Sequence, residues 1–255
     1  STATTMNVSG DANLTVREDL DATLDIIDAS TMTGELAITT GNDTSTPNAT
    51  VAGVDVVDVT VTGGSGNDTI TTENATNNEL LISTGAGDDT VVIIATPVNS
   101  STTNAGDTIT GGAGTDTITA QVDLVDAAAV TTALTGVTGF ETLNLSGTMG
   151  GSDTVTVANV SSELTRVNLS SAAVTALTIN WAASGTVGIN TAAALTAGVT
   201  VTVDSGTGTS DALTVTNMLT TGQMASATSN LTTTDFETVT INTGSYTTAA
   251  AQLIN

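Results

Sequence analysis

The stretch GGSGNDTIT at residues 63–71 returns almost unchanged as GGAGTDTIT at 111–119. A glycine-rich turn, an aspartate and a β-branched triplet recur in one order. Aligning the chain on that aspartate brings together Asp68, Asp89, Asp107 and Asp116, each followed by Thr and then Ile or Val. Asp107 and Asp116 are nine residues apart, Asp89 and Asp107 eighteen, and Asp68 and Asp89 twenty-one, which is two nines plus a small insertion. A unit this short cannot bury an apolar face by itself, so it must stack on its neighbours. A six-residue turn with a three-residue strand makes one unit, and two units make one coil of a parallel β-roll. This spacing predicts Asp68, Asp89 and Asp107 in one column along successive coils, with Asp116 on the opposite edge.

The remainder of the chain repeats a looser pattern, in which a short β-branched burst precedes a turn of Gly, Asn, Asp and Ser. NLTV (13–16), ELAIT (35–39), ELLIS (79–83), DTVVII (89–94), RVNLS (166–170), ALTIN (176–180), VTVTV (199–203) and ALTVT (212–216) are examples. Apolar residues alternating with Thr or Asn mark half-buried strands. The fold class expected is all-β, a parallel β-solenoid or β-roll with short irregular insertions and little helix. Short helices are predicted over VDAAAVTTAL (125–134) and NMLTTGQMAS (217–226). A longer phrase, GFETLNLSG (139–147), returns as DFETVTINTG (235–244) and more loosely as GVDVVDVTVTG (53–63). Phe140 and Phe236, the two phenylalanines, each precede Glu-Thr and are expected to plug the core at the entry to a coil. The expected organisation is a β-rich solenoid segment at 1–62, the β-roll at 63–120, and a Thr-rich solenoid continuing over 121–255. The whole reads as one region of a longer protein.

Charge narrows the chemistry. The chain carries 26 Asp and Glu against 2 Lys and Arg, with no His and no Cys. Most carboxylates therefore lack a protein counter-ion and must face water or a cation from solution. Nucleic acid is excluded as a partner, since it demands basic side chains to displace counterions. An anionic membrane surface is disfavoured for the same reason, and no apolar run is long enough to span a bilayer. Zinc, haem and iron–sulfur centres lose their usual ligands. The common general base and the thiol nucleophile are missing too. A metal held here should be hard and oxygen-bound, and calcium fits best. Aromatics are only 2% of the residues, so the core should be a thin one of Val, Ile, Leu and Thr.

The repeated turn suits such an ion. Glycines let the backbone curl so that carbonyls point inward, and the aspartate adds an anionic oxygen to the space between coils. At GGSGNDTIT and GGAGTDTIT the sequence resembles the RTX nonapeptide GGxGxDxUx at every fixed position. TGAGDDTVV (84–92) departs only at Thr84, whereas TTNAGDTIT (102–110) keeps Asp107 and Ile109 but has lost three glycines. The resemblance implies a calcium-stabilised β-roll in a protein exported by type I secretion from a Gram-negative cell. It implies carboxylate ligands at Asp68, Asp89 and Asp116, with Asp107 a further candidate. It implies carbonyl ligands at Gly64, Gly66, Gly85, Gly87, Gly112 and Gly114. Asp153 and Asp211 lie in eroded echoes of the repeat, where an Asx-turn accounts for them as well. Glu18, Asp19 and Asp21, and Asp55 and Asp58, read as solvated faces or edge protection.

Outside the nonapeptides, the Thr-rich phrases are similar to those of bacterial S-layer proteins. The function expected is a structural cell-surface protein, extracellular, folding and assembling with calcium and with copies of itself. Cell-surface polysaccharide would be bound through a region outside this chain. The alternative is the calcium-stabilised stalk of a secreted adhesin or other large RTX exoprotein. An enzyme is not expected: HExxH and GxSxG are missing, and no acidic pair stands beside stacking aromatics.

Overall fold

The computed structural model describes residues 3–18, 20, 24–40, 59–72, 79–97, 106–149, 153–171, 176–181, 186–191, 198–203, 210–218 and 231–242. The chain divides into two compact units, one of residues 1–119 with 134–141, the other of residues 120–133 with 142–255. Every strand pairing described is parallel, and each unit is a β-solenoid in which successive strands alternate between two sheets.

The first unit carries β1 (Thr5–Gly10), β2 (Leu14–Thr15), β3 (Ile26–Met32), β4 (Leu36–Thr39), β5 (Val59–Thr62), β6 (Thr69–Thr71), β7 (Leu80–Ser83), β8 (Thr90–Ile93), β9 (Thr108–Thr110), β10 (Thr117–Gln121, across its boundary) and β11 (Val137–Thr138). Odd-numbered strands form one sheet and even-numbered strands the other. Alternation sends every second side chain inward. Ile27, Val61, Ile82, Ile109 and Val137 thus fall in register as one apolar column. Ile38, Ile70 and Val91 form its counterpart across the core. All eight are nearly or wholly buried, each contributing about 1.5–3 kcal/mol. Phe140 is fully buried, as expected of a core plug.

The second unit holds β12 (Thr142–Ser146), β13 (Asp153–Thr156), β14 (Arg166–Leu169), β15 (Leu177–Trp181), β16 (Thr186–Thr191), β17 (Val199–Val203), β18 (Ala212–Asn217), β19 (Leu231–Thr234) and β20 (Thr238–Asn242). Here β12-β14-β16-β18-β20 and β13-β15-β17-β19 are the two sheets. Leu143, Val167, Ile189 and Val215 stack in register inside one, and Val155, Ile179 and Val201 inside the other. Phe236, unlike Phe140, is only half-buried.

Among the described residues, helix is confined to single turns, α1 (Val122–Val125) and α2 (Val157–Val160). The helix expected over 125–134 does not form. The Asp126 carboxylate accepts from the N–H groups of Ala128 (3.1 Å) and Ala129 (2.8 Å), and the Ala127 N–H donates to Thr154 O. Those donors are thereby committed to a side chain and a neighbouring coil instead of a helical ladder. Asp126→Ala should lower stability by about 1 kcal/mol, read from the melting midpoint, in line with the loss of a side-chain cap. Most of the second expected helix, at 219–226, lies outside the described residues. No helix among the described residues is long and apolar enough to cross a membrane.

Candidate functional site

The glycine turns that precede β6, β8 and β10 lie one above another in the first unit. Asp68, Asp89 and Asp116 close these turns, and each is 1% exposed or less. Their side chains act on the backbone of the preceding coil. The Leu36 N–H donates to Asp68 Oδ1 (2.8 Å), and the Asp68 N–H to Asp89 Oδ1 (2.7 Å). The Asp89 N–H then donates to Asp116 Oδ1 (2.8 Å), and the Asp116 N–H to Glu141 Oε2 (2.7 Å). Four acids thus form one ladder, each reaching back to cap the coil before it.

A second ladder runs beside it with opposite polarity. The Asp88 N–H donates to Asn67 Oδ1 (2.9 Å) and the Thr115 N–H to Asp88 Oδ1 (2.9 Å). Further back, the Glu35 N–H donates to Asn13 Oδ1 (3.0 Å). Here each side chain reaches forward to the following coil. Asn67, Asp88 and Thr115 are exposed, whereas their immediate neighbours in the first ladder are buried.

The column differs from the one that nine-residue spacing predicts. Asp116, expected on the opposite edge, stands in line with Asp68 and Asp89. Asp107 is the residue on the other edge, buried, with Oδ1 accepting from the Leu80 N–H (3.0 Å). The reason is coil length. Asp89 and Asp116 occupy equivalent places 27 residues apart, as do Leu80 and Asp107. β8 ends at Ile93 and β9 begins at Thr108, so the turn between them far exceeds the six residues of a nonapeptide turn. One coil here consumes three nines instead of two.

The candidate glycines fall into two further columns. Gly64, Gly85 and Gly112 stack so closely that a Cβ on Gly85 would lie 2.2 Å from Gly64 O, and one on Gly112 2.1 Å from Gly85 O. Gly66, Gly87 and Gly114 do the same, with 2.4 and 1.9 Å at the two contacts. The carbonyls of Gly64 and Gly85 accept from the N–H groups of Ala86 and Ala113, each at 3.0 Å. These two oxygens already serve the coil-to-coil ladder.

The carboxylates have more to offer a cation. In the turn at 63–68, Asp68 Oδ2 accepts from the Gly64 N–H (2.9 Å). In the two later turns the equivalent glycines take positive φ, 103° at Gly85 and 98° at Gly112. Asp89 Oδ2 and Asp116 Oδ2 are buried there without a hydrogen-bond partner. Burial pushes the carboxyls of Asp89 and Asp116 above their ordinary range, Asp116 to about 6. The charges of Asp89, Glu141 and Asp88 push Asp116 the same way, against the hydrogen bond from the Asp89 N–H. Neighbouring coils thus each bury one carboxylate oxygen that receives no hydrogen bond. Among the described residues, no group of three or more acidic side chains is placed to hold a metal ion.

Asp153 is half-buried at the start of β13. Asp211 is buried, and its N–H donates to Glu237 Oε2 (2.6 Å). The Glu237 N–H in turn donates to Asp211 O (3.0 Å), the same reciprocal pair that Asp116 forms with Glu141. Glu18 is exposed, while Asp19, Asp21, Asp55 and Asp58 lie outside the described residues. Sequence reasoning missed Glu141 and Glu237 as ladder members. The signal was present in an acid, Thr, then an apolar residue, shared by DTI, DTV and FETL. No family model, no curated protein and no solved structure matches this chain.

Proposed function

We propose that this chain is a structural protein of the bacterial cell surface, stiffened by calcium and assembling with copies of itself. The observation that carries the reading is the buried acid column, with the oxygens Asp89 Oδ2 and Asp116 Oδ2 lacking a hydrogen-bond partner. A chain with 2 basic residues against 26 acidic ones has little counter-charge of its own to supply. A cation from solution offsets the repulsion along such a column, and all-oxygen donors favour calcium. The resemblance of the turns to RTX nonapeptides supports the same ion and an extracellular setting. Calcium is plentiful there, so the coils would rigidify after export.

The test is a melt in chelator and in calcium, at pH 5 and pH 7.5. Below about pH 4 the Asp116 carboxyl is protonated in both folded and unfolded chains. Between about 4 and 6 the unfolded chain ionises while the folded chain keeps its proton. The folded state then binds more protons, so stability falls as pH rises and the loss is complete above about 6. In chelator the protein should melt at a lower temperature at pH 7.5 than at pH 5. Calcium at about 100 times its dissociation constant should add about 2.7 kcal/mol per site at pH 7.5, or roughly 5–10 °C. Identical melts in calcium and chelator would sink the reading. Electron microscopy of the calcium-loaded protein should show ordered sheets; isolated fibres would point to an adhesin stalk.

A further inference from the structure

The outward face of β13-β15-β17-β19 is a hydroxyl lattice. Register pairing aligns Thr154, Thr178, Thr200 and Thr232 in one column, and Thr156, Asn180, Thr202 and Thr234 in a second. Seven of these eight positions are threonine. Of the residues between the columns, Val155, Ile179 and Val201 are fully buried and anchor the face from behind, while Thr233 is half-buried. No register shift interrupts the array. Parallel strands place neighbouring hydroxyls about 4.8 Å apart across the strands and about 6.6 Å apart along them.

Two features mark this face. Some polar side chains elsewhere find partners within the protein. Asn190 Nδ2 donates to Asn168 Oδ1 (2.8 Å), and the Thr110 and Thr138 hydroxyls pair at 3.4 Å. The Ser146 and Ser170 hydroxyls donate to backbone oxygens (3.1 and 2.5 Å). Among the described residues, none of the eight side chains of the lattice makes a hydrogen bond within the protein. The lattice also carries no charge in a chain of net charge −24. Asp153, the acid in these strands, pairs in register with the buried Leu177 and so belongs to the inward row.

A charged partner gains nothing from such a surface, and an irregular polypeptide cannot match two straight rows of identical groups. A neutral partner that is itself a lattice can. Water oxygens on the faces of an ice crystal also repeat along two directions at spacings of a few ångströms, and each threonine presents a hydroxyl to join them beside a methyl that excludes loose water. We propose that this Thr face binds crystalline water, giving the protein an ice-binding activity independent of the acid column.

The test uses the full chain with calcium present. Fluorescently labelled protein should be incorporated into a growing ice hemisphere and should restrain ice recrystallisation. Thr178→Lys and Thr200→Lys, in the middle of the lattice, should abolish both effects, while Thr214→Lys on the other sheet leaves them intact. Circular dichroism checks that each variant is folded. Should a central variant unfold, Thr234→Lys at the exposed margin of the array takes its place, with a weaker but measurable loss expected. Exclusion of the parent protein from ice would overturn the proposal. So would full activity in the folded lattice variants, or adsorption to insoluble polysaccharide in place of ice.

Discussion

Gly114→Ala is expected to destabilise the first unit by about 3–5 kcal/mol, the upper range for single substitutions. The residue sits at φ 149°, where a side chain is strained whatever the space around it. Space is also lacking, because a Cβ would come within 1.9 Å of Gly87 O and 2.7 Å of Gly87 C. Both atoms belong to backbone, so relief requires the coils to separate. Separation would break the Gly87 N–H to Ala113 O hydrogen bond (2.9 Å) beside it. A urea titration should show the midpoint fall sharply in calcium and in chelator alike. A loss seen only in calcium would mean that the glycine serves the ion and not the stacking.

Asp116 separates the two roles of the acid column. Asp116→Ala removes the acceptor for the buried Asp89 N–H and leaves that donor alone, at a cost of about 1–3 kcal/mol with or without calcium. Asp116→Asn keeps a side-chain oxygen for the same N–H but discards the charge. In chelator at pH 7.5 the Asn variant should therefore melt at or above the parent's temperature, because a like charge has left a buried row. In calcium it should fall behind the parent, having lost an ion ligand. A calcium response that survives intact in Asp116→Asn would show that Asp116 holds the coils together without holding an ion.

Much of the fold was legible because solenoid strands obey one simple rule. ELAIT and VTVTV alternate, and each became a strand with Leu36 and Ile38, or Val199, Val201 and Val203, inward; ELLIS became a strand that buries Leu80 and Ile82 but leaves Leu81 exposed. The two short helices were harder to place, since Asp126 diverts the backbone donors that Ala-rich propensity at 127–129 would have used. The acid column was legible in kind but not in membership. Periodicity in nines fixes where turns recur along the chain. Which turns lie above one another depends on coil length, and coil length is set by connections that carry no repeat. Asp107 and Asp116 exchanged edges for that reason. Glu141 went unseen because alignment on aspartate hides a glutamate doing the same work one methylene further out. The glycines, read as ligands, have a nearer cause in the approach of one coil's backbone to the next.

The paired ladders bear on how the chain avoids misthreading. Asp88 and Asp89 are adjacent, yet one reaches forward to Thr115 and the other is capped against Asp68 behind it. Displacing that coil by a single residue would swap the two, driving Asp88 into the core and leaving Asp89 in water. Both hydrogen bonds would be lost at once, along with the inward placement of Val91. Neighbouring acids with opposite duties thus act as a proofreading key at each coil boundary, rejecting wrong alignments before the apolar columns can settle into them.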